Sequence, residues 1–398
     1  MDIFDKCWNF TRAKEAMESG IYPYFIPIEE NNGPRVKMGG REIIMIGSNN
    51  YLGLTKDPRV QEAAIKAIEK YGTSCSGSRF LNGTLHLHEE LEDKLAKFTK
   101  KDSALVFSTG YQSNLGSISV LVGRKDMIVT DKTNHASIFD GIFLSSGLNM
   151  GGLIKRYLHN DMDDLERIMS NLDPQIPKII ITDGVFSMEG DIVNLPRLVE
   201  ISKKYDMRVY VDDAHGIGIL GETGRGTMEH YGIFEDVDLV MSTFSKSFAS
   251  LGGFIAGHAD VIHYIKHHAR PLIFSAAMPP ANIAAVLKSL EIIENEPHIV
   301  KQLHAIGDKM REEFGALGFN TGESETPIVP LVIGDDAKTF QFWVTLFEAG
   351  IYSNPVISPA VPPDRSLLRT SFMATHTDND LDQVLETVKT IGKQLEII

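Results

Sequence analysis

The sequence predicts a mostly parallel α/β sheet covered by helices on both faces, followed by a smaller α+β domain. Two observations carry this. Six short apolar runs are separated by helix-patterned stretches: Ala104-Leu-Val-Phe-Ser, Met127-Ile-Val-Thr, Lys178-Ile-Ile-Ile-Thr-Asp, Arg208-Val-Tyr-Val-Asp, Leu239-Val-Met-Ser-Thr and Gly253-Phe-Ile-Ala-Gly. Strands buried on both faces read as continuous apolar runs, and alternation with helices favours parallel pairing. From about residue 281 the texture changes to two long helical patterns, 281–295 and 298–317, then strands at 328–333 and 367–371.

The remaining elements follow in chain order. Residues 11–19 pattern as a short amphipathic helix, 21–25 as an extended connector, and 35–46 as a hairpin turning at Gly39-Gly40. A helix over 58–71 has Asp57 as N-cap and Pro58 at its first position. Another is expected over 86–100. The division predicted is 1–46 for the N-terminal helix and hairpin, 47–280 for the large domain and 281–398 for the small one.

Composition narrows the function. Of 398 residues, 43% are hydrophobic and 23% charged, an ordinary globular balance for a core that needs no disulfide or metal staple. The net charge of −14 disfavours a nucleic-acid partner, because phosphate binding needs clustered Lys and Arg. Cys7 and Cys75 show no metal-ligand spacing, and a reducing compartment is the simpler reading. No apolar run reaches the roughly 18 residues of a membrane span, and the N-terminus lacks a secretory signal. The expectation is a cytoplasmic protein, with peripheral contact at the inner face of the membrane left open.

Reactive side chains gather where the strands end. Asp183 and Ser187 follow the third run, Asp212 and His215 the fourth, and Thr243, Ser245 and Lys246 the fifth. Open α/β sheets bind ligands at the carboxyl ends of their strands. An Asp closing an apolar strand is costly unless paired, and a protonated pyridine nitrogen is such a partner. A capping Asp and a structural His in a tight turn explain Asp212 and His215 about as well. Lys246 lies between Ser245 and Ser247, just after a buried strand. Burial makes a lysine nucleophilic and fit for a Schiff base, although lone lysines are usually surface groups. Phe107-Ser-Thr-Gly-Tyr-Gln-Ser-Asn reads as a strand, a glycine and a helix start, which makes an anion site or a plain N-cap. His135, in Thr133-Asn-His-Ala-Ser, is a stacking group or a structural His. No Walker loop, G-x-G-x-x-G, H-E-x-x-H or G-x-S-x-G occurs. No metal site is expected, and the pairs His86/His88 and His263/His267 read as solvated faces.

Taken in order, these phrases closely resemble the α-oxoamine synthase family of pyridoxal 5′-phosphate enzymes, from Ser48-Asn-Asn-Tyr-Leu-Gly-Leu to Met373-Ala-Thr-His-Thr. The resemblance implies a fold-type I transferase that joins an amino acid to an acyl-CoA with loss of carbon dioxide. It implies that Lys246 carries the cofactor, Asp212 pairs with the pyridine nitrogen, and His135 stacks on the ring. Ser187 and His215 would touch the phenolic oxygen. Gly110, Tyr111 and Thr243 would hold the phosphate, with Ser275 reaching a neighbouring subunit's phosphate in a homodimer. Asn49, Ser78 and Arg369 would bind substrate.

Five phrases are most similar to the bacterial branch that condenses L-serine with a long-chain acyl-CoA: Gly77-Ser-Arg-Phe-Leu-Asn-Gly-Thr, His159-Asn-Asp-Met-Asp-Asp-Leu, Asp183-Gly-Val-Phe-Ser-Met-Glu-Gly-Asp, Thr243-Phe-Ser-Lys-Ser and Ser358-Pro-Ala-Val-Pro-Pro. Cysteate, glycine or alanine as the amino acid is the alternative, with Lys132 or Arg156 as the cation for a cysteate sulfonate. A non-catalytic partner subunit is the alternative of another class. The chain departs from the family pattern at Phe143, where Arg is usual, at Ser242 and Ala277, and in an apparent insertion at 147–152.

Overall fold

The structure, a computed structural model, describes residues 2–149 and 153–398, and no side chain between 146 and 149. The expected insertion falls partly on residues 150–152, outside the described residues.

The chain opens with two short helices, α1 (Asp5–Trp8) and α2 (Arg12–Glu18), neither of which buries a residue. Three strands follow, β1 (Glu30–Asn31), β2 (Arg35–Met38) and β3 (Arg41–Met45). Gly39 and Gly40 turn the hairpin at φ 56° and 74°, values that L side chains rarely adopt. Next come α3 (Pro58–Tyr71), capped by Asp57, and α4 (His86–Phe98). The large sheet is then laid down as β4 (Ser103–Phe107), α5 (Gly110–Leu121), β5 (Met127–Asp131), α6 (Ala136–Asn149) and β6 (Leu153–Tyr157). It continues with α7 (Met162–Ser170), β7 (Lys178–Asp183), α8 (Leu195–Lys204), β8 (Met207–Asp212) and α9 (Thr227–Tyr231). Strands β9 (Leu239–Thr243) and β10 (Gly253–Gly257) complete it.

The sheet order is β4-β10-β9-β8-β7-β5-β6. Strand β10 runs antiparallel to both neighbours, and the other pairs are parallel. Alternate residues of each strand enter two different cores. Val209 and Val211 join Ala104, Val106 and Val240 on one face, whereas Tyr210 joins Leu105, Phe107 and Met241 on the other. This two-sided burial explains the unbroken apolar runs. Strand β6 escaped the sequence reading because it is a largely exposed edge, with Lys155 and Arg156 outward.

The C-terminal part contains α10 (Ala259–His268), α11 (Arg270–Ile273), α12 (Pro280–Asn295), α13 (His298–Leu317), β11 (Ile328–Val332), α14 (Asp336–Glu348), β12 (Ile351–Tyr352), β13 (Asn354–Val356), β14 (Leu367–Ser371) and α15 (Asp378–Gln394). Ile283, Val286, Leu290 and Ile293 of α12 lie in the large core with Val60 of α3. Phe314, Phe342, Trp343, Leu368 and Val388 form the core of the small domain, and Ile44 and Ile46 join it from the N-terminal hairpin. That hairpin pairs with β12, Ile44 opposite Ile351.

Two expectations are corrected. His88 is not a solvated residue: it is fully buried, and its Nδ1 accepts the Leu85 N–H at 3.0 Å. Burial pushes its pKa down to about 4. The helix expected to reach residue 100 stops at Phe98, and Lys100 takes a left-handed φ of 54°. His263 and His267 are exposed as expected, and both cysteines are free.

Candidate active site

Four parallel strands end in polar residues on one edge of the sheet: Asp131, Asp183, Asp212 and Thr243. Above them lies a cavity of about 260 Å³. Gly110, Tyr111, His135, Ser187, Asp212, His215, Thr243 and Lys246 all line it. Eight residues spread over 137 positions are thus brought together by the strand ends.

Lys246 sits in the turn between β9 and β10. Phe244 and Phe248 flank it in sequence, are fully buried, and pack edge to face at 5.4 Å. These anchors fix the turn and leave the amine over the cavity. Burial pushes its pKa down to about 8, while Asp212 and Asp183 pull the other way. At pH 7 about a tenth of the amine is then neutral, against roughly one in three thousand for an ordinary lysine.

Asp212 closes β8 and is held from two sides. Its Oδ1 accepts the Ala214 N–H at 3.0 Å and its Oδ2 accepts Asn114 Nδ2 at 2.6 Å. Asp183 lies opposite it in register on β7 and accepts the His135 N–H at 3.0 Å. Burial and the neighbouring Asp212 charge raise the Asp183 pKa well above the usual carboxylate value. His135 is pushed down by burial and by Lys246, against the pull of Asp212. His215 is pushed well below its ordinary value by burial, then by Lys246 and Arg369. Both imidazoles are therefore neutral near pH 7. Tyr51 Oη sits 2.8 Å from His215 Nδ1 and accepts from Arg369 Nη2 at 3.2 Å.

The cavity floor fits a phosphate. Helix α5 opens at Gly110 under a Thr109 cap that accepts the Gln112 N–H at 3.1 Å. Free N-terminal amides and the helix dipole favour an anion. The walls are drawn in by glycines: a Cβ on Gly110 would stand 2.7 Å from Thr243 Oγ1, and one on Gly253 would stand 2.6 Å from Gly110 Cα. Thr243 Oγ1 and Ser245 Oγ lie 3.0 Å apart beside it. A phosphate cup, a fixed carboxylate and a partly neutral lysine within one cavity are the donor set pyridoxal phosphate needs.

Four other expected residues stand outside this cavity. Asn49 and Arg369 are bonded to each other at 3.0 Å in the layer behind His215. Ser275 Oγ accepts from Gln112 Nε2 at 3.1 Å. Ser78 Oγ is shut off from solvent with no hydrogen-bond partner among the described residues. Several residues of the site were not singled out. Asn114, Ser137 and Tyr51 hold the reactive groups, and fully buried Asp213 locks the turn that presents His215 by accepting the Thr227 N–H at 2.8 Å. The signal for Asn114 was available, since it falls one helical turn after Gly110.

Residues 41–388 match the model of the family described as aminotransferase class I and II. The chain belongs to that family. A serine palmitoyltransferase of Sphingobacterium spiritivorum is 50% identical over 99% of this chain and 98% of its own length. One of Bacteriovorax stolpii is 49% identical over 97% of this chain and 91% of its own. Among solved structures, a serine palmitoyltransferase from S. paucimobilis with a bound PLP–myriocin aldimine superimposes with a TM-score of 0.95 at 33% identity, with both chains covered fully. The fold is therefore that of a fold-type I pyridoxal-phosphate transferase, with α-oxoamine synthases as its relatives, and the cofactor is pyridoxal 5′-phosphate.

Proposed function

We propose that this enzyme is a serine palmitoyltransferase, which condenses L-serine with palmitoyl-CoA to give 3-ketodihydrosphingosine, CoA and carbon dioxide. The observation that carries the reading is Lys246, partly neutral, in one cavity with Asp212 and the α5 phosphate cup. The choice of serine rests on the relatives' names and on their near-complete coverage.

Pyridoxal phosphate, when bound, supplies an electron-accepting ring conjugated to the substrate nitrogen. Asp212, its carboxylate held in place by the Asn114 amide and the Ala214 N–H, would pair with that ring's nitrogen. Lys246 is the attachment point for the cofactor aldehyde and, when free, the base for the serine Cα proton. His135 would cover the ring, and Ser187 and His215, which line the same cavity, would hold its phenolic oxygen. The Cα–acyl bond forms as the thioester C–S bond breaks, and CoA leaves with its electron pair. The Cα–carboxylate bond then breaks, carbon dioxide leaves, and a proton returns to Cα. Asn49 and Arg369, hydrogen-bonded to each other, are proposed to bind the substrate carboxylate, and Ser78 is proposed as a further substrate contact.

The reading extends to a homodimer with the site at the subunit interface and Ser275 at the neighbouring phosphate. Exposed Phe80, Leu81 and Phe274 support it, being 55%, 78% and 75% accessible. It also extends to a cytoplasmic location with peripheral membrane contact. No described helix is long and apolar enough to cross a membrane. The cysteate alternative loses support from its own cations. Arg156 lies over the Phe139 ring, and Lys132 lines a different cleft. The test is CoA release from palmitoyl-CoA with serine, glycine, alanine or cysteate in parallel. Release with serine and a long-chain ketone product is expected. Release only with another amino acid overturns the substrate while keeping Lys246 and the cofactor.

A further inference from the structure

A buried string of hydrogen bonds runs beneath the cavity and ends on two groups that face it. Asn114, on α5, is fully buried. Its Nδ2 donates to Asp212 Oδ2 at 2.6 Å and to Ser137 Oγ at 2.9 Å, and its Oδ1 accepts the Tyr210 hydroxyl at 2.7 Å. The amide can face only one way, since flipping it would set its carbonyl oxygen against the Asp212 carboxylate. Both amide hydrogens are thereby committed.

That commitment passes to Ser137. Its oxygen accepts a hydrogen bond from Asn114 Nδ2, so its own hydrogen is free to be donated to His135 Nδ1, 2.7 Å away. The backbone N–H of Ser137 points at the same nitrogen, at 3.3 Å. A backbone N–H can only donate, so His135 Nδ1 is an acceptor and the ring proton lies on Nε2. We propose that Asn114 is a positioning residue that fixes the Asp212 carboxylate and, through Ser137, holds His135 in the Nε2-protonated tautomer. The inference deepens the proposed function and rests on it: one amide couples the group below the cofactor's ring nitrogen to the group that covers the ring. An unconstrained His135 could present Nδ1–H instead and change which edge of the imidazole meets the cofactor and substrate.

The test uses the holoenzyme. Nitrogen-15 NMR of histidine-labelled protein reads the His135 tautomer directly, and equilibrium dialysis reads pyridoxal-phosphate affinity. In the wild type, His135 Nδ1 should give the shift of an unprotonated nitrogen. Ser137→Ala should move it toward a mixture of tautomers and lower kcat about five- to fiftyfold, with the serine KM within about twofold. Ser137→Thr, which keeps the hydroxyl, should restore both. Asn114→Ala should weaken cofactor binding by about ten- to a hundredfold and displace the visible absorption band. Should Asn114→Ala fail to fold, the two Ser137 variants decide. A protonated Nδ1 in the wild type, or unchanged tautomer and kcat in Ser137→Ala, overturns the inference while leaving the enzyme's function intact. A wild type that takes up no pyridoxal phosphate sinks the function instead, and the tautomer of His135 can still be read in that protein.

Discussion

Two clusters on one edge of the sheet are built from the same parts and treat charge in opposite ways. In the first, His159 stands between Asp131 and Asp191, with Nε2 3.2 Å from Asp191 and Nδ1 3.5 Å from Asp131. Burial works against its charge, but the bonds and charges of the two carboxylates outweigh that and hold its pKa up to about 10. Asp131 also accepts the Thr133 and Asn160 N–H groups at 2.8 and 2.7 Å. In the second, Asp183 and Asp212 lie beside His135, His215 and Lys246. There burial dominates, so both imidazoles and the lysine shift toward their neutral forms. The first cluster is a clamp that ties the loops after β5, β6 and β7 together. The second has two neutral imidazoles, a partly neutral lysine and a cavity that all three face. A histidine paired with two carboxylates stays charged, whereas buried groups facing a cavity are driven toward the neutral forms that chemistry uses.

The comparison breaks most visibly at Lys246. Lys246→Ala should lower kcat on the order of a thousandfold or more and remove the visible absorbance of bound cofactor. Ordinary turnover by that variant would dismiss the assignment. Asp212→Ala should follow, with a loss of about a hundred- to a thousandfold in kcat, measured as CoA release. His159→Gln should instead leave chemistry nearly untouched and cost about 1–3 kcal/mol of stability near pH 6, read from urea unfolding. A large fall in kcat without loss of stability would place His159 in the reaction.

The two clusters also predict opposite responses to pH. The His159 pKa rises from 6.5 to about 10 on folding. Its contribution is full below pH 6.5 and is lost as pH rises toward 10. The wild type's advantage over His159→Gln should therefore shrink across that window. The Lys246 pKa falls from 10.5 to about 8. Its charge opposes the fold below pH 8, and that cost fades by pH 10.5. Cofactor-free Lys246→Met should thus melt above the wild type at pH 7, with the gap closing at alkaline pH. A gap that widens instead would contradict the burial of this amine.

Much of this was legible in the residues. The six apolar runs became β4, β5, β7, β8, β9 and β10, and polar residues closing those runs marked the site edge. Asp57 and Pro58 set the start of α3 through local chemistry alone. Edge strand β6 and the short strands β12 and β13 were not legible, because two- or three-residue pairings and a polar edge carry little periodic signal. The roles of the histidines were not legible either. His88, His135 and His159 are the same residue type, yet one is buried and caps a helix, one faces the cavity and one is an imidazolium clamp.

By itself, then, the sequence determined the alternation of strand and helix, the sheet edge that carries chemistry, and Lys246, Asp212 and the α5 glycine as the groups to watch. Those depend on local pattern and chain order. Only the tertiary structure decided which carboxylates are anchored, which imidazoles are neutral, and that Asn114 and Ser137 lie beneath Asp212 and His135. These follow from distances between residues far apart in the chain. A charge is set by what surrounds it in space, within a few ångströms, and not by its neighbours along the chain.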